Sequence, residues 1–255
     1  MTSRAGLEER LAAIRARIES AADRAGRDPA EVRLVAVAKG VPAERVEQAR
    51  GAGIEDFGEN YVKELAAKAG RVTGATWHFV GVLQSHTAHR VADLADVVHT
   101  LAPGRGPERL SRRAEQGGTP IPSLVQVDFT GSRAGVQPDD LPAFLEELRS
   151  LAGLEVRGLM TLPPLSDHPE DSRPHFRRLR EMRDQQRERF EGLRELSMGM
   201  SADYEVAVEE GATMVRIGTA LFGERATVSR AQREQREAPG EDGARPEGGP
   251  AGAPQ

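Results

Sequence analysis

The chain has 255 residues, a formal net charge of −5 and no cysteine. That length can bury a full core, as one α/β barrel or as two smaller domains. The acidic balance offers no field to nucleic acid, and the lack of thiols excludes disulfides, thiolate metal sites and a cysteine nucleophile. No apolar run approaches the ~20 residues that span a bilayer, and the opening MTSRAGLEER has no apolar signal-peptide core. A cytoplasmic monomer with no membrane or nucleic-acid partner is therefore expected.

Residues 3–26 place Leu7, Leu11, Ile14, Ile18 and Ala22 three or four apart, which predicts an amphipathic helix ending near Gly26 and Pro29. Strand and helix patterns then alternate. Strands are predicted at Leu34–Ala38, Ile54–Phe57, Trp77–Val80, Val97–Leu101, Ser123–Phe129 and Val156–Leu162. Helices are expected near Ala43–Arg50, Asn60–Ala69, Ser85–Leu94, Glu108–Gln116 and Leu141–Leu151, with an arginine-rich one over Glu170–Phe190. The last unit, LSMGMSADYEVAVEEGATMVRIGTALFG, reads as strand seven (Leu196–Met198), a loop, a helix begun by Asp203 and stopped by Gly211, strand eight (Met214–Ile217) and a second loop at Gly218-Thr219.

Eight strands, each with a following helix, match a closed (β/α)8 TIM barrel with one extra N-terminal helix. An open doubly wound sheet is the rival, but VAKGVP stands after strand one where a glycine-rich dinucleotide fingerprint would be needed. The barrel is expected to be one domain over residues 1–228. Residues 229–255 are expected to be a disordered tail, since from Ala238 half the residues are glycine or proline and no aliphatic side chain exceeds alanine.

In a barrel, chemistry collects where strands meet their following loops. Lys39 stands at such an end, after the apolar run LVAVA. Only three of the 35 basic residues are lysines, and Lys63 and Lys68 read as members of a polar helical face. An amine can lose its proton and form an imine, which arginine cannot do, and burial at a strand end lowers its pKa. Snorkelling with a packed stem is the plainer role for a lone lysine. Strands seven and eight, however, both open into loops of Gly, Ser or Thr, whose free amides and the hydroxyls of Ser197, Ser201 and Thr219 suit an anion. Arg216 in strand eight adds a cation. If the phosphate belongs to pyridoxal 5′-phosphate, Lys39 forms the Schiff base. No metal site is expected: His86 and His89 lie three apart on a predicted helix, His78, His99, His168 and His175 add no ligand spacing, and all are read as surface residues.

The segments VAVAKGVP, FGENYVKE, WHFVGVLQS, RGLMTLPP and the long final unit occur in one order between Leu34 and Arg225. On these motifs the sequence resembles the YggS/PROSC family, the pyridoxal phosphate homeostasis proteins. The resemblance implies the barrel of the alanine racemase N-terminal domain, known as fold type III. It implies Lys39 as the covalent cofactor lysine and Ser197, Ser201, Gly218 and Thr219 as the phosphate cradle, with Asn60 in the GEN motif near the cofactor. Arg216 then corresponds to an arginine near the pyridine nitrogen, which disfavours protonating the ring and weakens carbanion chemistry. Two departures stand out: His86-Thr87 where the family has Asn-Lys, and Arg133 where a lysine is common.

A racemase needs acid–base groups on both faces of its substrate carbon. Tyr61 and Tyr204 lie near predicted helix starts, where packing with the hydroxyl in solvent is the commoner role. The sequence therefore favours a non-catalytic carrier that takes part in vitamin B6 homeostasis and supplies the cofactor to apoenzymes. A minimal racemase or decarboxylase of the same fold is the alternative, and a Schiff-base aldolase acting through Lys39 on a sugar phosphate is a third reading.

Overall fold

The computed structural model describes residues 4–223; the predicted tail and the boundary at residue 228 lie outside them. A long helix α1 (Arg4–Arg24) precedes eight strand and helix units. These are β1 (Arg33–Val37), α2 (Ala43–Gly51), β2 (Asp56–Glu59), α3 (Val62–Ala69), β3 (Thr76–Phe79), α4 (Ala88–Leu94), β4 (Val97–Leu101) and α5 (Arg105–Gly117). The second half runs β5 (Ile121–Val127), α6 (Leu141–Arg149), β6 (Leu154–Thr161), α7 (Arg173–Gln186), β7 (Glu195–Ser197), α8 (Tyr204–Glu209), β8 (Met214–Ile217) and α9 (Thr219–Phe222). The strands pair in parallel in chain order, and β1 closes on β8 with Val35 opposite Arg216. Closure leaves no strand edge open to another chain.

Strand alternation sorts the side chains. Phe57, Trp77, Phe79, Val98, Leu196 and Val215 turn outward into a continuous core with the helices. Val35, Val97, Leu124, Met160 and Met214 form a separate cluster inside the barrel. Helix α1 buries Leu7, Leu11, Ile14 and Ile18 and packs on α8, α9 and α2. It thereby covers the side of the barrel where β8 is followed, among the described residues, by the single helical turn α9, a stretch expected to be open loop.

Two of the placements differ from expectation, each because of the periodicity of its element. His78 and His99 are fully buried inside the barrel rather than on the surface, since their outward neighbours Trp77, Phe79 and Val98 already supply the outer core. Lys68 is 5 % exposed, because it follows Val62 and Leu65 at three-residue spacing on the buried face of α3. His86 lies in the turn before α4 and is exposed, as expected.

Candidate functional site

A cavity of about 480 Å³ opens at the C-terminal end of the barrel. Lys39 enters it from the turn after β1, Asn60 from the end of β2 and Ser201 from the loop after β7. Arg216 enters from β8, and Gly218 and Thr219 from the turn beyond it. Because β1 pairs with β8, the Lys39 turn and the Gly218-Thr219 turn are neighbours on one side of the mouth.

Ser197 is not among the lining residues. Alternation along β7 turns it into the barrel, where it is fully buried. Its hydroxyl meets Arg216 Nη1 at 2.5 Å and His99 Nδ1 at 2.9 Å, so it supports Arg216 from below instead of reaching a ligand in the cavity.

The turn that carries Lys39 is held from both sides. Lys68 Nζ donates to the Ala38 carbonyl at 2.8 Å, and the Gly40 amide donates to Glu64 Oε2 at 2.6 Å. Lys68 also pairs with Glu59 at 2.5 Å and Glu64 at 2.9 Å. Glu59 faces outward from β2 into this closed space, and burial pushes its carboxyl up to about 7 against the pull of Lys68. Gly40, at φ 70°, supplies the left-handed conformation that the turn needs.

On the other side, the loop after β7 folds tightly at Gly199, where φ is 89° and a Cβ would lie 2.5 Å from that of Ala207. Asp203 fixes the loop by accepting from the Met200 amide at 2.7 Å and from the Ser172 hydroxyl at 2.8 Å. Ser201 Oγ accepts from the Ala220 amide at 3.2 Å, tying the loop to α9. The amides of Ser201, Ala202 and Thr219 donate to no backbone carbonyl among the described residues, an arrangement that suits an anion.

Charge agrees with that geometry. Lys39, Arg133 and Arg216 are the ionisable groups among the described residues that line the cavity. The Arg133 departure thus keeps a cation at the mouth, whereas His86 is not a lining residue. Burial lowers Arg216 to about 10, which leaves it protonated at neutral pH. Its guanidinium donates to Ser197 and, at 2.9 Å, to the Thr161 carbonyl. Asn60 contributes a buried side-chain oxygen without a partner among the described residues, a group that a ligand donor would satisfy. An amine, an anion cradle and an unsatisfied polar atom in one cavity fit a phosphorylated ligand that also bears a carbonyl.

Neither candidate base reaches this space. Tyr61 and Tyr204 are not lining residues, and Tyr204 is buried, with the Arg17 guanidinium 5.9 Å from its ring centre, rather than turned to solvent. No cluster of three or more histidine, aspartate or glutamate side chains among the described residues is arranged to hold a metal. No helix among them is long and apolar enough to cross a membrane.

The profile of the alanine racemase N-terminal domain matches residues 10–226. The pyridoxal phosphate homeostasis protein of Pseudomonas aeruginosa is 42 % identical over 223 residues, 86 % of this chain and 96 % of that one. Its namesake from Aquifex aeolicus is 40 % identical over 222 residues, 85 % of this chain and 97 % of its own. Among solved structures, PipY of Synechococcus elongatus PCC7942 with PLP bound superposes with a TM-score of 0.76 at 36 % identity, covering 85 % of this chain and all of PipY. The chain belongs to the alanine racemase N-terminal domain family and, within it, to the pyridoxal phosphate homeostasis proteins.

Proposed function

We propose that the chain binds pyridoxal 5′-phosphate (PLP) in the barrel-mouth cavity, with Lys39 as covalent anchor, and serves PLP homeostasis by holding the cofactor and supplying it to apoenzymes. The observation that carries this reading is the presence of Lys39 and the Ser201 and Thr219 turns in a single cavity. When bound, the cofactor supplies an aldehyde that an amine can capture and a phosphate that the turns can hold. Ser201 and the neighbouring amides bind the phosphate, Asn60 accepts from a ligand donor, and Lys68 with Glu64 orients the Lys39 turn. Arg216, which can only donate, would hold the cofactor through one of its acceptor atoms. The homeostasis names of the relatives and the PLP bound to PipY support the same reading.

A carrier is favoured over a minimal racemase or decarboxylase because Lys39 and two arginines are the ionisable lining of the cavity among the described residues. Neither arginine is suited to proton transfer at neutral pH. The test is borohydride reduction of the protein incubated with PLP, followed by peptide mapping. Pyridoxyl label is expected on Lys39 and is expected to vanish in Lys39→Ala. Label on another residue would overturn the site, and amino-acid turnover that depends on Lys39 would overturn the carrier reading.

A further inference from the structure

A row of polar side chains crosses the barrel interior beneath the cavity. Asp56, the first residue of β2, meets His78 Nε2 at 2.8 Å. His78 Nδ1 lies 2.8 Å from His99 Nε2, and His99 Nδ1 lies 2.9 Å from Ser197 Oγ. Ser197 in turn accepts from Arg216, which lines the cavity. Five strands thus contribute one residue each. His78, His99 and Ser197 are wholly buried, and Asp56 alone borders a second cavity at the N-terminal end of the barrel.

The two ends of this row decide the direction of every bond between them. A guanidinium can only donate and an ionised carboxylate can only accept. Asp56 requires a proton on His78 Nε2. Arg216 occupies a lone pair of Ser197, whose own proton has one acceptor available among the described residues, His99 Nδ1. His99 must then carry its proton on Nε2 and give it to His78 Nδ1. Both rings are neutral Nε2–H tautomers, and every proton in the row has an acceptor. The reverse order needs a charged His78 and strands the Ser197 proton in a buried site, which is costly. Burial, with His78 and Arg216 close by, holds His99 well below its ordinary pKa and keeps it neutral.

We propose that Asp56, His78, His99 and Ser197 form a one-way hydrogen-bond relay that holds Arg216 against the cavity floor, and that they are positioning residues for the ligand. The relay and the Thr161 carbonyl hold Arg216 through uncharged acceptors, so no carboxylate binds its guanidinium directly among the described residues. The bearing on affinity rests on the PLP reading; the tautomers do not.

The test pairs two measurements on the full chain. Long-range 15N–1H spectra of the protein without PLP are expected to show His78 and His99 as neutral Nε2–H rings. An imidazolium at His78 or an Nδ1–H ring at His99 would overturn the relay whether or not PLP binds. Dissociation constants for PLP, read from cofactor absorbance, are expected to rise about tenfold in Ser197→Ala and in Asp56→Ala, the equivalent of one net hydrogen bond. Asp56→Asn, which keeps a carbonyl acceptor, is expected to recover most of that loss and the wild-type tautomers. A purely structural Asp56 would lower the melting temperature in Asp56→Ala and leave both the tautomers and the affinity unchanged, and that outcome would also overturn the proposal. Failure of wild-type protein to take up PLP would count against the proposed function, and the tautomers would still decide the relay.

Discussion

Glu59 carries its carboxyl group in a space closed to water, one residue before Asn60 and bonded to the lysine that braces the Lys39 turn. Its folded-state pKa of about 7 lies above the ordinary value of 4.5, so the folded chain keeps this proton longer than the unfolded chain does. Linkage then fixes the sign: this group's contribution to stability falls as pH rises from about 4.5 through about 7, and is level above that. Glu59→Gln removes the titration while preserving shape. The difference in stability between wild type and Glu59→Gln is expected to shift by on the order of 3 kcal/mol across that window, as read from chemical denaturation at several pH values. A flat difference would show that Glu59 is ionised throughout. Carboxylates such as Glu209 and Glu210, which their arginine partners hold below the ordinary value against the upward push of burial, have the opposite dependence, losing stability as pH falls. They cancel in the comparison.

The row of arginines on α7 shows the same economy between elements. Arg173, Arg177 and Arg180 share one face of that helix, and all three meet Glu210 at the end of α8 at 2.9 to 3.4 Å. Glu210 is nearly buried, so it is the member whose loss leaves the others unbalanced. Glu210→Ala is expected to cost about 1–2 kcal/mol and lower the melting temperature by about 3–6 °C, measured by circular dichroism. Reversal of the charge on one arginine, each of which reaches solvent, is expected to cost less. The helix itself could be read from the sequence, as could all eight strands, because apolar spacing reports each element locally. Glu210 could not be matched to these arginines that way, since they precede it by 30 to 37 residues and only the closed barrel brings them together. Lys68 and the two inner histidines were legible in principle. Lys68 continues the Val62 and Leu65 spacing, and His78 and His99 alternate with outward apolar residues. Charge and polarity had directed the reading to the surface, and burial with a partner is the exception that those residue types permit. Ser197 lies inside β7 and turns into the barrel, whereas Ser201 stands in the loop beyond it where the cavity opens, and hydroxyl chemistry alone does not separate the two depths.

At the scale of the whole molecule, closure organises both core and site. Lys39, Ser201, Gly218 and Thr219 come from the first and last strands of the ring and the loop between β7 and α8, brought together by the β1–β8 seam. We propose that the folded domain ends by residue 228. A protein of residues 1–228 is expected to melt within about 1 °C of the full chain, inside the range of surface changes for a domain of this size, and to take up PLP equally well. A lower melting point or weaker uptake would assign a structural or binding part to residues 229–255.

The seam also orders events during synthesis. Lys39 leaves the ribosome early, yet the amides and hydroxyls that complete its cavity belong to the last stretch of the described chain. If the cavity takes PLP as proposed, a growing polypeptide has its amine long before it has a place to hold a phosphate, and capture begins only after the final strand docks beside the first. On that reading, uptake of the cofactor is a receipt for a finished fold.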